Sequence, residues 1–185
     1  MSKLKLVSTG FDGLFIIEPQ RFGDERGYFS ETYNYRDLKQ LGIDIRFVQD
    51  NQSKSAYGVM RGLHFQNAPH AQTKLVRVLS GKILDVVVDL RNTSATFKKP
   101  YVVELSAESG RQILVPKGFA HGFIVLSESA ELLYKTDEFH HPELEGGIIY
   151  NDPALQIDWQ IPHEQLIISP RDQKHPLLAD AKYNF

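Results

Sequence analysis

The sequence predicts an all-β domain, a sandwich or closed barrel of short strands with a few short helices. Three observations carry that prediction. Short apolar or alternating runs recur from residue 14 to residue 139, with turn signals between them at regular spacing. One run, Lys82-Ile-Leu-Asp-Val-Val-Val-Asp-Leu90, is nearly continuous in apolar residues, as expected of a central strand covered on both faces. Helical spacing shows at Tyr35 to Leu41 and stops at Gly42.

The elements follow in order. Leu14 to Glu18 is a short apolar run ended by Pro19, and Tyr28 to Tyr33 alternates aromatic and polar residues. After the helical stretch come strand candidates at Arg46 to Ser53, Gly58 to Gln66, Thr73 to Leu79 and Lys82 to Leu90. Pro100 to Ser106, Arg111 to Val115, His121 to Leu126 and Ala130 to Phe139 complete the set. Ser80-Gly81, Arg91-Asn92-Thr93-Ser94, Glu108-Ser109-Gly110 and Lys117-Gly118 mark turns. The tail from Asn151 to Phe185 is looser, with prolines at 153, 162, 170 and 176. No repeat, low-complexity tract or linker divides the chain, so residues 1–185 read as a single domain.

Composition narrows the class of function. At 185 residues the chain is long enough to bury a core without staples. Its 21 basic and 23 acidic residues give no global field toward nucleic acid or membrane. With no cysteine, disulfide frameworks and thiolate zinc sites are excluded. The start, Met1-Ser-Lys-Leu-Lys, has no apolar leader, and no run approaches a membrane span. A cytoplasmic protein is expected.

Two glycine segments each end in a histidine. Gly58-Val-Met-Arg-Gly-Leu-His64 reads G-x5-H, and Gly110-Arg-Gln-Ile-Leu-Val-Pro116-Lys-Gly118-Phe-Ala-His121 reads G-x5-P-x-G-x2-H. These spacings resemble the two signatures of the cupin β-barrels, which implies a double-stranded β-helix, or jelly roll. Cupins usually bind a metal through His-x-His, a Glu and the later His. Here the second His is replaced by Gln66, and Lys74, seven residues before Gly81, stands where the Glu belongs. An ammonium at that place repels a cation. No metal and no other cofactor is expected, and the pocket suits something anionic.

Strand periodicity gives the facing. In a regular strand Met60, Gly62, His64 and Gln66 share one face while Arg61 and Leu63 share the other. Lys74, Val76 and Val78 share a face, as do Leu132 and Tyr134. Taken singly, a strand histidine is more often structural, Lys74 could snorkel outward, and Tyr134 could pack its ring. A barrel lined by His64, Lys74, His121 and Tyr134 together would be a poor core and a good active site.

Longer stretches carry a closer resemblance. They are Phe22-Gly-Asp-Glu-Arg-Gly-Tyr-Phe-Ser-Glu31, Phe47-Val-Gln-Asp-Asn-Gln-Ser-Lys-Ser55, Met60-Arg-Gly-Leu-His-Phe-Gln66 and Lys74-Leu-Val-Arg-Val78. Val88-Asp-Leu-Arg91, Pro116-Lys-Gly-Phe-Ala-His-Gly-Phe123, Leu133-Tyr-Lys-Thr136 and Asn151-Asp-Pro153 follow. In family order over most of the chain, they resemble the dTDP-4-dehydrorhamnose 3,5-epimerases, cupin enzymes of the dTDP-L-rhamnose pathway.

The resemblance implies acid–base epimerisation beside a ketone, on a dTDP-linked 4-keto-6-deoxy sugar, without a cofactor. It implies His64 as the base, Asp172 as the carboxylate paired with it, Tyr134 as the acid on the far face, and Lys74 as the stabiliser of the enolate oxygen. It implies substrate contacts from Arg26, Glu31, Gln49, Asp50, Asn51, Arg61, His121, Phe139, Glu145 and Arg171. Two positions depart from the family pattern: Arg171 stands where Lys is common, and Phe139 where a Tyr commonly stacks on thymine. It further implies a homodimer, with Arg26 and Glu31 as candidates for contribution in trans. The rivals are a 3- or 5-epimerase on a related keto sugar and a metal-free sugar-binding cupin.

Other residues carry bland readings. His70, His140, His141, His163 and His175 are expected to face solvent, and Trp159 to pack. Asp85 and Asp89 are ambiguous between lining the pocket and capping its edge.

Overall fold

A computed structural model describes residues 3–185. In chain order the strands are β1 (Leu4–Ser8), β2 (Phe15–Pro19), β3 (Phe22–Asp24) and β4 (Gly27–Phe29), followed by helix α1 (Tyr35–Gln40). Then come β5 (Gln49–Ala56), β6 (Val59–Gln66), β7 (Lys74–Ser80), β8 (Lys82–Asp89), β9 (Pro100–Ser106) and β10 (Gln112–Val115). The last are β11 (Phe119–Val125), β12 (Ser129–Thr136), β13 (Glu145–Gly147) and β14 (Ile167–Ile168).

They build two large sheets rather than one closed ladder. The first has the order β1-β2-β10-β7-β12-β5; the second runs β13-β6-β11-β8-β9, with β14 beside β6. The all-β jelly roll expected from the sequence is therefore a sandwich. Its inner core takes Ile16, Val76, Ile113 and Leu132 from the first sheet and Ile83, Val87, Leu105 and Phe123 from the second. Strand β8 is buried on both faces, as its composition requires: Ile83 and Val87 point inward, while Leu84, Val86 and Val88 meet the tail. That tail is irregular but not idle, since Leu155, Trp159, Ile161 and Leu178 cover the outer face of the second sheet. Trp159 packs as expected and donates its indole N–H to the Tyr150 carbonyl at 3.0 Å.

Helix α1 covers the other outer face with Leu38, which is 1% exposed. Asn34 caps it, its side-chain oxygen accepting from the backbone N–H of Arg36 and Asp37.

Several expectations needed correction, among them the strand expected at Ala130 to Phe139, which spans Ser129–Thr136. Tyr28 to Tyr33 is not one strand: β3 and β4 form a two-stranded hairpin, and residues 30–34 lead into the cap of α1. Asp24 accepts from the backbone N–H of Arg26 and tightens the hairpin turn. β5 starts three residues later than Arg46, because its run Gln-Asp-Asn-Gln-Ser-Lys-Ser-Ala has no apolar alternation to mark it. β1 was not anticipated; it pairs with β2 from Leu4 against Pro19 to Ser8 against Phe15.

Candidate active site

The site lies in the sandwich, between β6 of the second sheet and β5, β7 and β12 of the first. Two adjoining hollows of about 230 and 520 Å³ share His64, Lys74 and Tyr134. Since β6 and β12 belong to opposite sheets, the imidazole and the phenol enter the cavity from opposite walls.

Strand β6 is not regular, and this decides which side chains meet. His121 pairs with His64, but Phe123 pairs with Arg61, so three steps on β6 match two on β11. The extra residue is a bulge. It overturns the simple facing expected above: Arg61 and His64 line the same cavity, while Leu63 and Phe65 join the outer core. Gly62 and Gly122 permit the close approach. A Cβ on Gly62 would sit 2.5 Å from the Gly122 Cα, and Gly62 adopts a φ of +131.

His64 Nε2 lies 2.8 Å from Asp172 Oδ1. The other carboxylate oxygen accepts from the Gly62 backbone N–H at 3.2 Å, and the Asp172 N–H donates to Ser169 Oγ at 3.1 Å. Burial alone would raise the Asp172 pKa, but the bond and charge of His64, with the Gly62 and Ser169 bonds, bring it down to about 2. An ionised Asp172 holds the Nε2–H tautomer of His64 and leaves Nδ1 as the basic nitrogen.

Lys74 and Tyr134 face the cavity without a hydrogen-bond partner among the described residues. Burial lowers the Lys74 pKa, against the pull of Glu145 and Asp85. Burial raises the Tyr134 pKa; the Arg61 charge opposes this and Glu145 adds to it. The phenol thus keeps its proton through neutral pH.

Around them Gln49 and Asn51 line the smaller hollow, joined by a 3.0 Å bond from Gln49 Nε2 to Asn51 Oδ1. Arg61, His121 and Arg171 line the larger. Arg61 Nε donates to Ser55 Oγ at 3.2 Å. Glu145 pairs with Arg171 at 2.7 Å and with His140 at 3.2 Å. Although burial pushes Glu145 upward, these partners keep its pKa below the usual value.

A family model described as dTDP-4-dehydrorhamnose 3,5-epimerase matches residues 8–180. The chain belongs to that family. A dTDP-4-dehydrorhamnose 3,5-epimerase of Methanothermobacter thermautotrophicus is 47% identical over 185 residues, covering 99% of this chain and 100% of the relative. The crystal structure of the enzyme from Elizabethkingia anophelis superposes with a TM-score of 0.92 at 52% identity, over 96% of this chain and 98% of that one. A structure from Legionella pneumophila, in complex with dTDP-4-keto-L-rhamnose, gives 0.91 at 48% identity, over 96% and 94%. This chain is an epimerase of the same kind.

Four of the expected contacts stand apart from the epimerase cavity of their own chain. Asp50 alternates outward between Gln49 and Asn51 and pairs with Lys135 at 2.8 Å. Arg26 lies on the β3–β4 hairpin against Asp24 at 2.5 Å, and Glu31 pairs with Lys3 at 2.9 Å. Phe139 is 59% exposed and offers its carbonyl to Gln66 Nε2 at 2.9 Å.

The residues set aside from the sequence fall out differently. His140 faces solvent as expected, its side chain 52% exposed, and it also edges the smaller hollow. His175 is mostly covered beside His64 rather than solvent-facing: its side chain is 12% exposed. His70 and His141 stack at 4.0 Å, their side chains 41% and 30% exposed. Asp85 is fully buried and meets His121 Nε2 at 2.8 Å, whereas Asp89 caps the following turn through Arg91, Ser94 and Thr96. An aspartate inside an apolar strand was the available signal for Asp85. For His175 there was none, because an irregular tail has no periodicity to read.

Gln66 also gains a reason. Its amide donates to the carbonyls of His70 and Phe139 and accepts from the His141 N–H at 2.8 Å. Where a metal cupin needs a ligand, this chain has a clamp on residues 139–141 beside the smaller hollow.

Proposed function

We propose that the cavity converts dTDP-4-dehydro-6-deoxy-D-glucose to dTDP-4-dehydro-L-rhamnose by proton transfer at C3 and C5, with His64 as the base. The observation that carries this reading is the part-buried His64–Asp172 pair facing Lys74 and Tyr134 across one cavity. The C4 carbonyl acidifies the protons on both neighbouring carbons. His64 Nδ1 removes one, and Asp172 stabilises the imidazolium that results. The electron pair moves to the C4 oxygen, where the Lys74 ammonium receives the developing charge. Tyr134 donates its phenolic proton to the opposite face, inverting the centre, and solvent restores both groups. Lys74 supplies the electrophile that a metal supplies in other cupins.

Arg61, Arg171, Gln49, Asn51, His121 and Glu145 hold the sugar and its diphosphate. Arg26, Glu31 and Phe139 complete the nucleotide site, the first two from the partner in a homodimer.

Proton NMR of the substrate in deuterated water tests the reading. Deuterium is expected at both C3 and C5; label at one carbon alone would support the single-centre rival. His64→Asn should lower exchange at both carbons by about 10²-fold or more. Retained exchange at C3 in that variant would assign the work to another residue. A sugar-binding cupin would exchange neither proton.

A further inference from the structure

One histidine beside the base has no task in this reaction. His175 Nε2 is buried with no hydrogen-bond partner among the described residues. It lies 3.6 Å from Asp172 Oδ1, the same oxygen that meets His64. The two imidazoles stand edge to face with centroids 5.3 Å apart. The fold keeps room for this ring: a Cβ on Gly147 would sit 2.3 Å from His175 Cε1. Leaving a buried polar nitrogen unpaired costs about 1–3 kcal/mol, so its retention calls for a partner from outside the chain.

His64, Asp172 and His175 present two imidazole nitrogens and a carboxylate oxygen, all within 4.8 Å of one another. Two histidines and one carboxylate form the donor set of open-sided zinc sites. The group is reachable, since His64 and Asp172 line the large cavity and His175 lines a separate hollow with Gly147 and Arg171. We propose that His64, Asp172 and His175 form an inhibitory site for a divalent transition-metal ion of the zinc class. It shares His64 with the usual cupin metal position but not the rest of that set, two of whose places are taken by Gln66 and Lys74.

The inhibition follows from tautomers. A metal ion on His64 Nε2 displaces the proton shared with Asp172. Neutral imidazole then carries its one N–H on Nδ1, the nitrogen that must be bare to abstract a proton. Magnesium and calcium prefer oxygen donors and should not compete. The inhibitory consequence rests on His64 being the base; metal binding does not.

The experiment pairs zinc titration of turnover with calorimetric zinc titration of the protein without substrate. Zinc should bind and inhibit where magnesium does neither, and chelator should restore the rate. Chelator alone should leave turnover unchanged. Even outer partners of metal ligands are worth about 10–100-fold in affinity, so His175→Phe should weaken zinc binding by at least about tenfold. His175→Gln serves as a second variant, and cobalt titration of the wild type reports histidine ligation by its visible bands. His141→Ala is the control for the group His70, Glu138 and His141, whose ligand atoms also lie within 4.8 Å of one another. Equal zinc affinity in both His175 variants, loss of binding in His141→Ala alone, or no binding by the wild type would overturn the proposal. Binding with no loss of turnover would keep the site and reject His64 as the base.

Discussion

Tyr134 separates a packing role from a chemical one, because phenylalanine removes the hydroxyl and keeps the ring. The hydroxyl has no protein partner among the described residues, so Tyr134→Phe should leave stability within about 0.5–1.5 kcal/mol, the worth of one hydrogen bond. Solvent exchange should persist, since the proposed base His64 is intact, while L-configured product falls far more. Equal loss of exchange and product would make Tyr134 a positioning residue. Lys74 is tested by pH. Burial depresses its pKa below 10.5, so its charge is lost as pH rises through that lowered value. The alkaline limb of kcat should therefore fall below the ordinary lysine range and move up in Lys74→Arg, whose guanidinium stays charged. The stability sign is opposite to that of a paired lysine. Between the folded and unfolded pKa values the unfolded chain binds more protons, so stability rises with pH there. Lys74→Met should raise Tm at neutral pH while abolishing turnover; an unchanged Tm would show that the ammonium is not strained by burial. Residue identities were the most legible level. His64, Lys74 and Tyr134 lie in strand motifs and Asp172 is implied only by the family resemblance, and all four meet in the cavity.

At the scale of elements, legibility followed apolar patterning and failed where the cavity replaces it. β8 announces itself because both faces are buried. β5 does not, because its inward residues Gln49 and Asn51 are polar, as its place on the cavity wall requires. The bulge in β6 was invisible for another reason: nothing in Met60-Arg-Gly-Leu-His reports that β11 will skip a residue opposite it. The paired glycines that allow it are testable. A Cβ on Gly122 would lie 2.7 Å from the Arg61 carbonyl oxygen and 3.0 Å from the Gly62 Cα. Backbone atoms on both sides cannot yield as a side chain does, so Gly122→Ala should cost about 1–3 kcal/mol. It should also disturb Arg61 and His64 together, raising KM and lowering kcat. Gly23→Ala is the control, because its nearest contact would be 3.5 Å away. Denaturant melts that showed the two variants equally stable would remove the bulge from the explanation of the site.

For the whole molecule, the conspicuous fact is where Arg26 lies. Its hairpin carries Phe22, Tyr28 and Phe29 at 46%, 57% and 64% exposure, and no residue of that hairpin lines the catalytic cavity of its own chain. If Arg26 holds substrate, as proposed, it must do so in the partner's site. Two crippled chains distinguish this from a contact within one chain. One carries His64→Asn, the other Arg26→Glu, and in the proposed dimer each should be inactive or weak when paired with itself. In a hybrid under the trans arrangement, the chain with intact His64 receives intact Arg26 from its partner, so one whole site forms. Under a cis arrangement every site keeps one defect, and the hybrid is as weak as its parents. Co-expression with two affinity tags isolates the hybrid, and turnover of the 4-keto sugar reads the result. Recovery of about half the wild-type rate per dimer is the expected outcome, because sites built from separate walls act independently. No recovery would place Arg26 within its own chain's reach, and a fully active Arg26→Glu parent would place it outside the site.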